Sequence, residues 1–217
     1  MRKRIISKLE VKGPNLIKGL CFDGLRSLGF ASGFAKKYND EGIDEIIYQD
    51  IRASLCKTEP NFSEIKKLGK LLDIPFVVSG GITNLDHLKK IFDLGADKVS
   101  LNSGAVNNLR LIEKAASIYG SQSIILSLDI FSYQEEINNK IIREVWIKNG
   151  KERTEVNYME WLKNATSAGI GEICLTSIAH DGLAQGADLS LIKEICNNSD
   201  LPVIYCGGMI DKQEACH

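Results

Sequence analysis

Two carboxylic acids, Glu10 and Asp129, follow similar short apolar runs in the two halves of the chain. The runs Leu9-Glu10-Val11 and Leu128-Asp129-Ile130 each end a segment that is typical of a β-strand. Two carboxyl groups that approach a substrate from opposite sides can serve as its general acid and general base. The alternative is that they are solvated acids at strand ends or helix caps.

Two glycine pairs repeat in the same way. Ser79-Gly80-Gly81-Ile82 and Cys206-Gly207-Gly208-Met209 each follow a short apolar run that opens with proline. Glycine lets backbone N–H groups approach an anion closely, commonly a phosphate. Two such pairs could hold the two phosphates of one long substrate, although a tight turn also explains a single pair. The echoes indicate that one strand–helix module occurs twice.

The elements that must position these residues alternate between strands and helices. Strands that are apolar on both faces predict a parallel sheet covered by helices. Seven such units with an internal duplication favour an α/β fold of the (β/α)₈ TIM-barrel type, built from two half-barrel repeats in a single domain over 1–217. We expect a chain that is incomplete at its C-terminus, before the eighth unit. Predicted strands cover 4–11, 45–51, 75–79, 98–102, 123–130, 172–177 and 202–206; predicted helices cover 34–41, 61–72, 83/84–94, 109–119, 158–168 and 189–197; 12–33 is a predicted polar loop and 141–157 a predicted hairpin region.

Composition excludes several classes of function. The 217 residues are 44% hydrophobic and 25% charged, and the net charge of −1 gives no reason to propose nucleic acid or an anionic membrane as partner. No run approaches the roughly 18 apolar residues of a membrane span. Six cysteines without a C-x-x-C pair favour reduced thiols in a cytoplasmic protein. The histidines His87, His180 and His217 are not spaced for a metal, so we predict neither metal nor cofactor; His87 is predicted at a helix surface, and His180 could touch substrate.

The two edges of the predicted barrel carry different chemistry. Ligands of parallel α/β folds bind at the carboxyl ends of the strands. The opposite ends, at the floor, carry two cations and two anions that could form a ring of ion pairs across the barrel axis. Such a ring is either a structural network or a polar gate. The floor residues are Arg4, Glu45, Lys98 and Glu172.

Several blocks of the sequence resemble the cyclase subunit of imidazole glycerol phosphate synthase. They are 4–12 with 18–19, 42–51, 79–82, 95–103, 120–122, and 171–177 with 181–182. A related phosphoribosyl isomerase shares the barrel and the duplication, but these blocks are more similar to the cyclase. The resemblance implies a glutaminase partner docked at the N-terminal face of the barrel. It also implies ammonia that travels through the barrel and attacks a bis-phosphorylated formimino-carboxamide ribonucleotide, giving imidazole glycerol phosphate.

The resemblance also assigns roles to individual residues. Glu10 and Asp129 match the catalytic pair, with Glu10 where the family has aspartate. The floor residues match the family's charged ammonia gate. The implied substrate- and phosphate-binding residues are Lys18, Asp50, Gly80, Gly81, Asn102, Ser103, Thr176, Asp181, Gly182, Gly207 and Gly208.

Some positions depart from the family's pattern. Lys8 stands where the family usually has cysteine or a small residue, Phe131-Ser132-Tyr133 where it has a basic residue, and Ala179-His180 where it has an Asp/Arg pair. These departures resemble paralogues found with surface-polysaccharide genes, which are thought to deliver ammonia to a separate sugar-amidating enzyme. That role is the alternative to the cyclase, and a plain scaffold barrel is a third hypothesis.

Overall fold

Strands and helices alternate along most of the chain. The computed structural model describes residues 3–135 and 139–210. Their elements, in chain order, are β1 (Ile6–Lys12), β2 (Asn15–Leu20), β3 (Asp23–Phe30), α1 (Ala31–Asp40), β4 (Glu45–Asp50), α2 (Ile51–Cys56), α3 (Phe62–Gly69), β5 (Phe76–Ser79), α4 (Leu85–Asp93), β6 (Lys98–Leu101), α5 (Ser103–Asn107), α6 (Arg110–Tyr119), a 3₁₀ turn (Ser121–Ser123), β7 (Ile124–Gln134), β8 (Ile141–Ile147), β9 (Glu152–Asn157), α7 (Tyr158–Ala168), β10 (Glu172–Ser177), α8 (Leu189–Asn197) and β11 (Val203–Cys206).

One curled sheet contains all these strands. Its main path has the order β11-β10-β7-β6-β5-β4-β1-β2-β3, and neighbours from β11 to β1 are parallel. Strand β8 branches from this path by pairing with β7, and β9 pairs with β8. Strands β1 and β10 are far apart in this order, yet Lys8 Nζ of β1 lies 3.5 Å from Thr176 Oγ1 of β10. The sheet therefore curls until its two ends face each other, as in a TIM-type barrel.

The sheet separates two apolar layers, because successive side chains of a strand point to opposite faces. The outer layer packs under the helices and forms the larger core. The inner layer takes one buried side chain from each of five strands, and we call it the interior belt. The belt consists of Ile47, Val77, Ile125, Cys174 and Ile204, with Ile6 and Cys206 packed against it.

The two halves of the chain repeat one arrangement. Strand β1 continues into the antiparallel hairpin β2–β3 and then α1, and β7 continues into β8–β9 and then α7. The prediction of a hairpin after 141 is confirmed, whereas the prediction of a loop over 12–33 is wrong. Side chains of β3 are exposed at nearly every position. The alternation that identifies a strand is therefore missing there.

Two further predictions need correction, and two short helices were not predicted. The helices α2 and α5 follow β4 and β6 directly and have too few residues to show a helical period. The predicted helix over 61–72 ends at Gly69. His87, predicted at a helix surface, is buried, and its Nδ1 lies 3.1 Å from the Gly81 carbonyl oxygen. His87 lies on the face of α4 that packs against Phe62, with the two rings edge to face.

Strands β11 and β1 are not paired with each other over the described residues. A cavity of about 410 Å³ lies between them, lined by residues that include Arg4, Ile6, Lys8 and Ile204. The predicted eighth unit, the incomplete C-terminus and the single-domain boundary stay predictions. Cys216 and His217 lie outside the described residues. Within the described part of the chain, no helix is long and apolar enough to cross a membrane.

Candidate active site

The carboxyl ends of the parallel strands form one edge of the barrel, which we call the mouth. Glu10 of β1 and Asp129 of β7 are both buried there. Lys8 Nζ lies 3.7 Å from Glu10 Oε1, and the charges of both Lys8 and Glu10 act on Asp129. Residues from the two halves of the chain therefore share one charged environment at the mouth.

Asp129 is suited to hold a proton. It is only 2% exposed, and burial raises the pKa of its carboxyl above the ordinary range for aspartate. The Lys8 cation and hydrogen bonds lower that pKa but do not cancel the effect of burial. Asn102 Nδ2 donates to Asp129 Oδ2 at 2.8 Å and fixes the orientation of the carboxyl group. A buried carboxyl with a raised pKa can act as a general acid near neutral pH.

The β2–β3 hairpin brings Lys18 over the mouth. Lys18 Nζ lies 3.2 Å from Asp181 Oδ1 and 3.9 Å from Glu10 Oε2. Cys21 N, in the turn of the same hairpin, donates to the Asp181 carbonyl oxygen at 2.8 Å. The hairpin is thus tied to the loop after β10. Glu10 is within reach of two lysines.

The two hairpins meet above the mouth. Phe22 is buried although it occupies a turn, and its ring lies against Gly150 in the β8–β9 turn. A Cβ atom on Gly150 would stand 2.5 Å from that ring, so this contact requires glycine. Gln49 Nε2 donates to Asn149 Oδ1 at 3.1 Å and anchors the β8–β9 turn to β4. The hairpins therefore cover the mouth and limit its access to water.

The first glycine pair lies in a cleft beside Asp129. That cleft is lined by residues predicted to bind substrate or phosphate, namely Asp50, Gly80, Gly81, Asn102 and Ser103. Gly81 has a φ of +71°, and its N–H donates to Ser54 Oγ at 3.2 Å. Ser103 Oγ accepts from Lys148 N at 2.9 Å. Asp50 caps α2 by accepting from the backbone N–H groups of Arg52 and Ala53.

The second glycine pair lies beside the loop after β10. Gly208 O accepts from Gly186 N at 2.8 Å, and a Cβ atom on Gly208 would stand 2.2 Å from Gly186 O. Gly182 approaches the Gly19 carbonyl oxygen as closely, since its Cβ would lie 2.4 Å away. Gly207 faces Ser177, whose carbonyl oxygen would lie 2.9 Å from an added Cβ. Tight backbone packing accounts for these glycines.

Thr176 and His180 lie beside the second glycine pair. Thr176 is paired in register with Asp129 on the neighbouring strand. His180 Nδ1 lies 2.8 Å from Ser177 Oγ, which holds the ring at the end of β10.

The four floor residues come together at the opposite edge, and we call them the floor cluster. Arg4 contacts both Glu45, at 2.5 Å, and Glu172. Lys98 Nζ lies 2.9 Å from Glu172 and 3.6 Å from Glu45. Burial raises the pKa of Glu45, while Lys98 and Arg4 lower it. Charges of opposite sign therefore alternate around the floor.

Sequence reasoning did not place Lys8 and Phe22 in the site. Lys8 stands two residues before Glu10, so the alternation of β1 already puts both side chains on the same face. The burial of Phe22 has no comparable local signal, because it depends on Gly150, which is distant in the sequence.

A family model described as "Histidine biosynthesis protein" matches residues 4–215. The chain belongs to this family. Its relatives include the imidazole glycerol phosphate synthase subunit HisF of Legionella pneumophila, which is 40% identical over 207 residues, or 95% of this chain and 95% of that protein. HisF of Thermococcus onnurineus is 37% identical over 208 residues, covering 96% of this chain and 80% of that protein. HisF of Methanocaldococcus jannaschii is 36% identical over 222 residues, covering 96% of this chain and 82% of that protein. These matches confirm the resemblance to the cyclase subunit of imidazole glycerol phosphate synthase that the sequence blocks indicated.

Proposed function

We propose that this chain is the ammonia-using cyclase subunit of an imidazole glycerol phosphate synthase. The observation that carries the proposal is the meeting of buried Glu10 and Asp129 at the mouth of a curled barrel. They come from corresponding strands of the two halves, β1 and β7. The HisF relatives supply the reaction to which such an acid–base pair is suited.

In this proposal the two carboxyls have different tasks. Asp129, whose pKa is raised by burial, is the general acid that donates a proton to the substrate as a bond breaks. Glu10 lies between Lys8 and Lys18 and accepts a proton from the attacking nitrogen. The hairpins that meet at Phe22 and Gly150 exclude water, so ammonia rather than water reaches the substrate.

The two glycine pairs are proposed to hold the two phosphates of the substrate. The site on one side contains Gly80, Gly81, Asn102 and Ser103; the other contains Asp181, Gly182, Gly207 and Gly208, with Asp50 and Thr176 supporting them. Lys18 lies on the hairpin above, where it can close over the substrate. The repeat of a glycine pair with positive φ directly after β5 and after β11 is the feature that supports this assignment.

The glutaminase partner is proposed to dock at the floor. The floor cluster is the polar entrance on that face, and the interior belt above it is apolar. Ammonia is small and uncharged, so it crosses an apolar passage at a lower cost than an ion does. The Arg4 side chain is 40% exposed and is therefore accessible to a docked subunit.

The sugar-amidation role is the second candidate function. Lys8 beside Glu10 favours it, because this pair changes the acid–base chemistry at the mouth while the floor cluster is intact. Under this candidate the chain activates a glutaminase and conducts ammonia but does not catalyse the cyclase reaction.

Turnover of the bis-phosphorylated ribonucleotide with ammonium salt at pH 8.5 tests the proposal. We expect imidazole glycerol phosphate from the wild type and a loss of about 10²–10⁴-fold in kcat for Asp129→Asn, the range typical of a general acid–base residue. Asp200→Asn, an exposed control with the same chemical change, should keep wild-type turnover. Wild-type protein that activates a glutaminase without making this product would support the second candidate instead.

A further inference from the structure

Lys8 is an ionised side chain inside the barrel. Its side chain is only 12% exposed, whereas Lys12, at the end of the same strand, is exposed. Lys8 Nζ reaches from β1 to Thr176 Oγ1 of β10, 3.5 Å away. It therefore bridges the interior just above the interior belt.

Lys8 also lines the cavity between β1 and β11. That cavity extends from Arg4 of the floor cluster past Ile6 and Ile204 to Lys8 and Cys206. The wall of the cavity between Arg4 and Lys8 is mostly apolar. Because Lys8 Nζ reaches across the interior to Thr176 Oγ1, a small solute that moves from the interior belt to the mouth passes close to the Lys8 ammonium group.

The groups that face Lys8 keep it charged. Burial alone would lower its pKa, but the neighbouring acidic groups raise it above the ordinary value for lysine. They are Cys206 of β11, Glu10 of its own strand, Asp129 of β7 and Cys174 of β10. The hairpin contributes the Phe22 ring, whose centroid lies 5.7 Å from Lys8 Nζ, and the Lys18 cation, which lies 3.9 Å from the other oxygen of Glu10. A lysine held in this way donates hydrogen bonds and keeps its proton.

We propose that Lys8 binds ammonia and excludes ammonium ion where the interior cavity meets the mouth. Ammonia has a lone pair that accepts a hydrogen bond from the Lys8 ammonium group. Ammonium ion has no lone pair and is repelled by the like charge. This selection matters because the Glu10 carboxylate would otherwise attract the cation, which is not a nucleophile. The inference rests on the proposed use of ammonia.

A binding measurement tests Lys8 without any turnover. Ammonium chloride is titrated at pH 6.5 and constant ionic strength against sodium chloride, while NMR follows the backbone amides of Asn102 and Asp129. We expect no saturable shift for the wild type, for Lys8→Arg or for the exposed control Lys12→Met. Lys8→Met and Lys8→Gln should show a saturable shift, with a Kd at least tenfold below the highest ammonium concentration titrated. Thermal unfolding verifies that each variant is folded.

Turnover provides the second measurement. With the concentration of free ammonia held fixed, lowering the pH from 9 to 7 adds ammonium ion. We expect this ion to compete with ammonia in Lys8→Met and not in the wild type. Saturable binding of ammonium by the wild type, or equal binding by wild type and Lys8→Met, would overturn the role of Lys8. Absence of turnover by the wild type would instead count against the proposed function, while the titration still decides on Lys8.

Discussion

Replacing Glu172 by glutamine tests the floor cluster. Glu172 is buried at 4% exposure, and it accepts from both Arg4 and Lys98. Glutamine keeps the size and an acceptor oxygen but removes the negative charge. Arg4 and Lys98 would then share Glu45 as their remaining carboxylate in the cluster.

The size of the effect follows from how deeply each partner is buried. Removing one partner of a buried ion pair costs about 3–5 kcal/mol, whereas an exposed pair contributes about 0–1 kcal/mol. The side chains of Arg4 and Lys98 are 40% and 21% exposed, so solvent screens part of the interaction. We therefore expect Glu172→Gln to lower the free energy of unfolding by about 2 kcal/mol, between these limits. For a domain of this length, this corresponds to a fall in Tm of roughly 4–8 °C.

Thermal unfolding at low salt and at 1 M salt measures this loss. Glu155→Gln removes the same charge from an exposed position on β9 and should leave Tm within about 1 °C. If the floor cluster also admits ammonia, Glu172→Gln should change glutamine-driven turnover with the partner more than turnover with added ammonium salt. An unchanged Tm would refute the structural argument. Equal effects on the two kinds of turnover would refute the assignment as an entrance.

Two further predictions concern the mouth. Gly81→Ala places a Cβ atom 2.6 Å from the Cβ of Ala53, at a backbone φ of +71° that alanine rarely adopts. We expect this variant to bind inorganic phosphate about tenfold or more weakly than the wild type, as measured by calorimetry. The control Gly33→Ala lies at an open, exposed position of α1, so it should leave phosphate binding unchanged and raise Tm. Asp129→Asn should raise Tm at pH 8 relative to the wild type, and this gain should shrink as the pH falls. The folded-state pKa of Asp129 is raised, so the wild type loses stability as the pH rises through it, and asparagine does not. A gain that is equal at pH 4 and pH 8 would contradict the assignment of a raised pKa.

The grouping of the floor residues could be predicted from the sequence, because the residue that opens each strand is recognised from its local sequence alone. Glu45, Lys98 and Glu172 are the first residues of β4, β6 and β10. Parallel strands of one sheet begin at the same edge, so residues that open predicted strands must lie near one another. The same reasoning places the glycine pairs at the mouth, since they follow the last residues of β5 and β11.

The covering of the mouth could not be predicted in this way. Strand β3 has no buried face, so its sequence lacks the alternation by which a strand is recognised. The position of Phe22 depends on a contact with Gly150, which only the folded chain brings close. The duplication was the one available signal: a hairpin predicted after β7 implies a hairpin after β1 as well.

The two departures at the mouth, Lys8 and Glu10, are explained by one another. Glu10 is longer than aspartate by one methylene group, on the order of 1 Å in reach. Its two oxygens lie 3.7 Å from Lys8 Nζ and 3.9 Å from Lys18 Nζ, so a single carboxylate bridges a lysine inside the barrel and a lysine on the covering hairpin. A shorter acid on β1 would reach toward Lys18 less easily while Lys8 remained buried beside it. A buried cation without a counter-ion is costly, and Glu10 is a counter-ion that reaches both lysines. The longer acid therefore compensates the charge that the interior lysine introduces, and it couples that charge to the hairpin that closes the mouth.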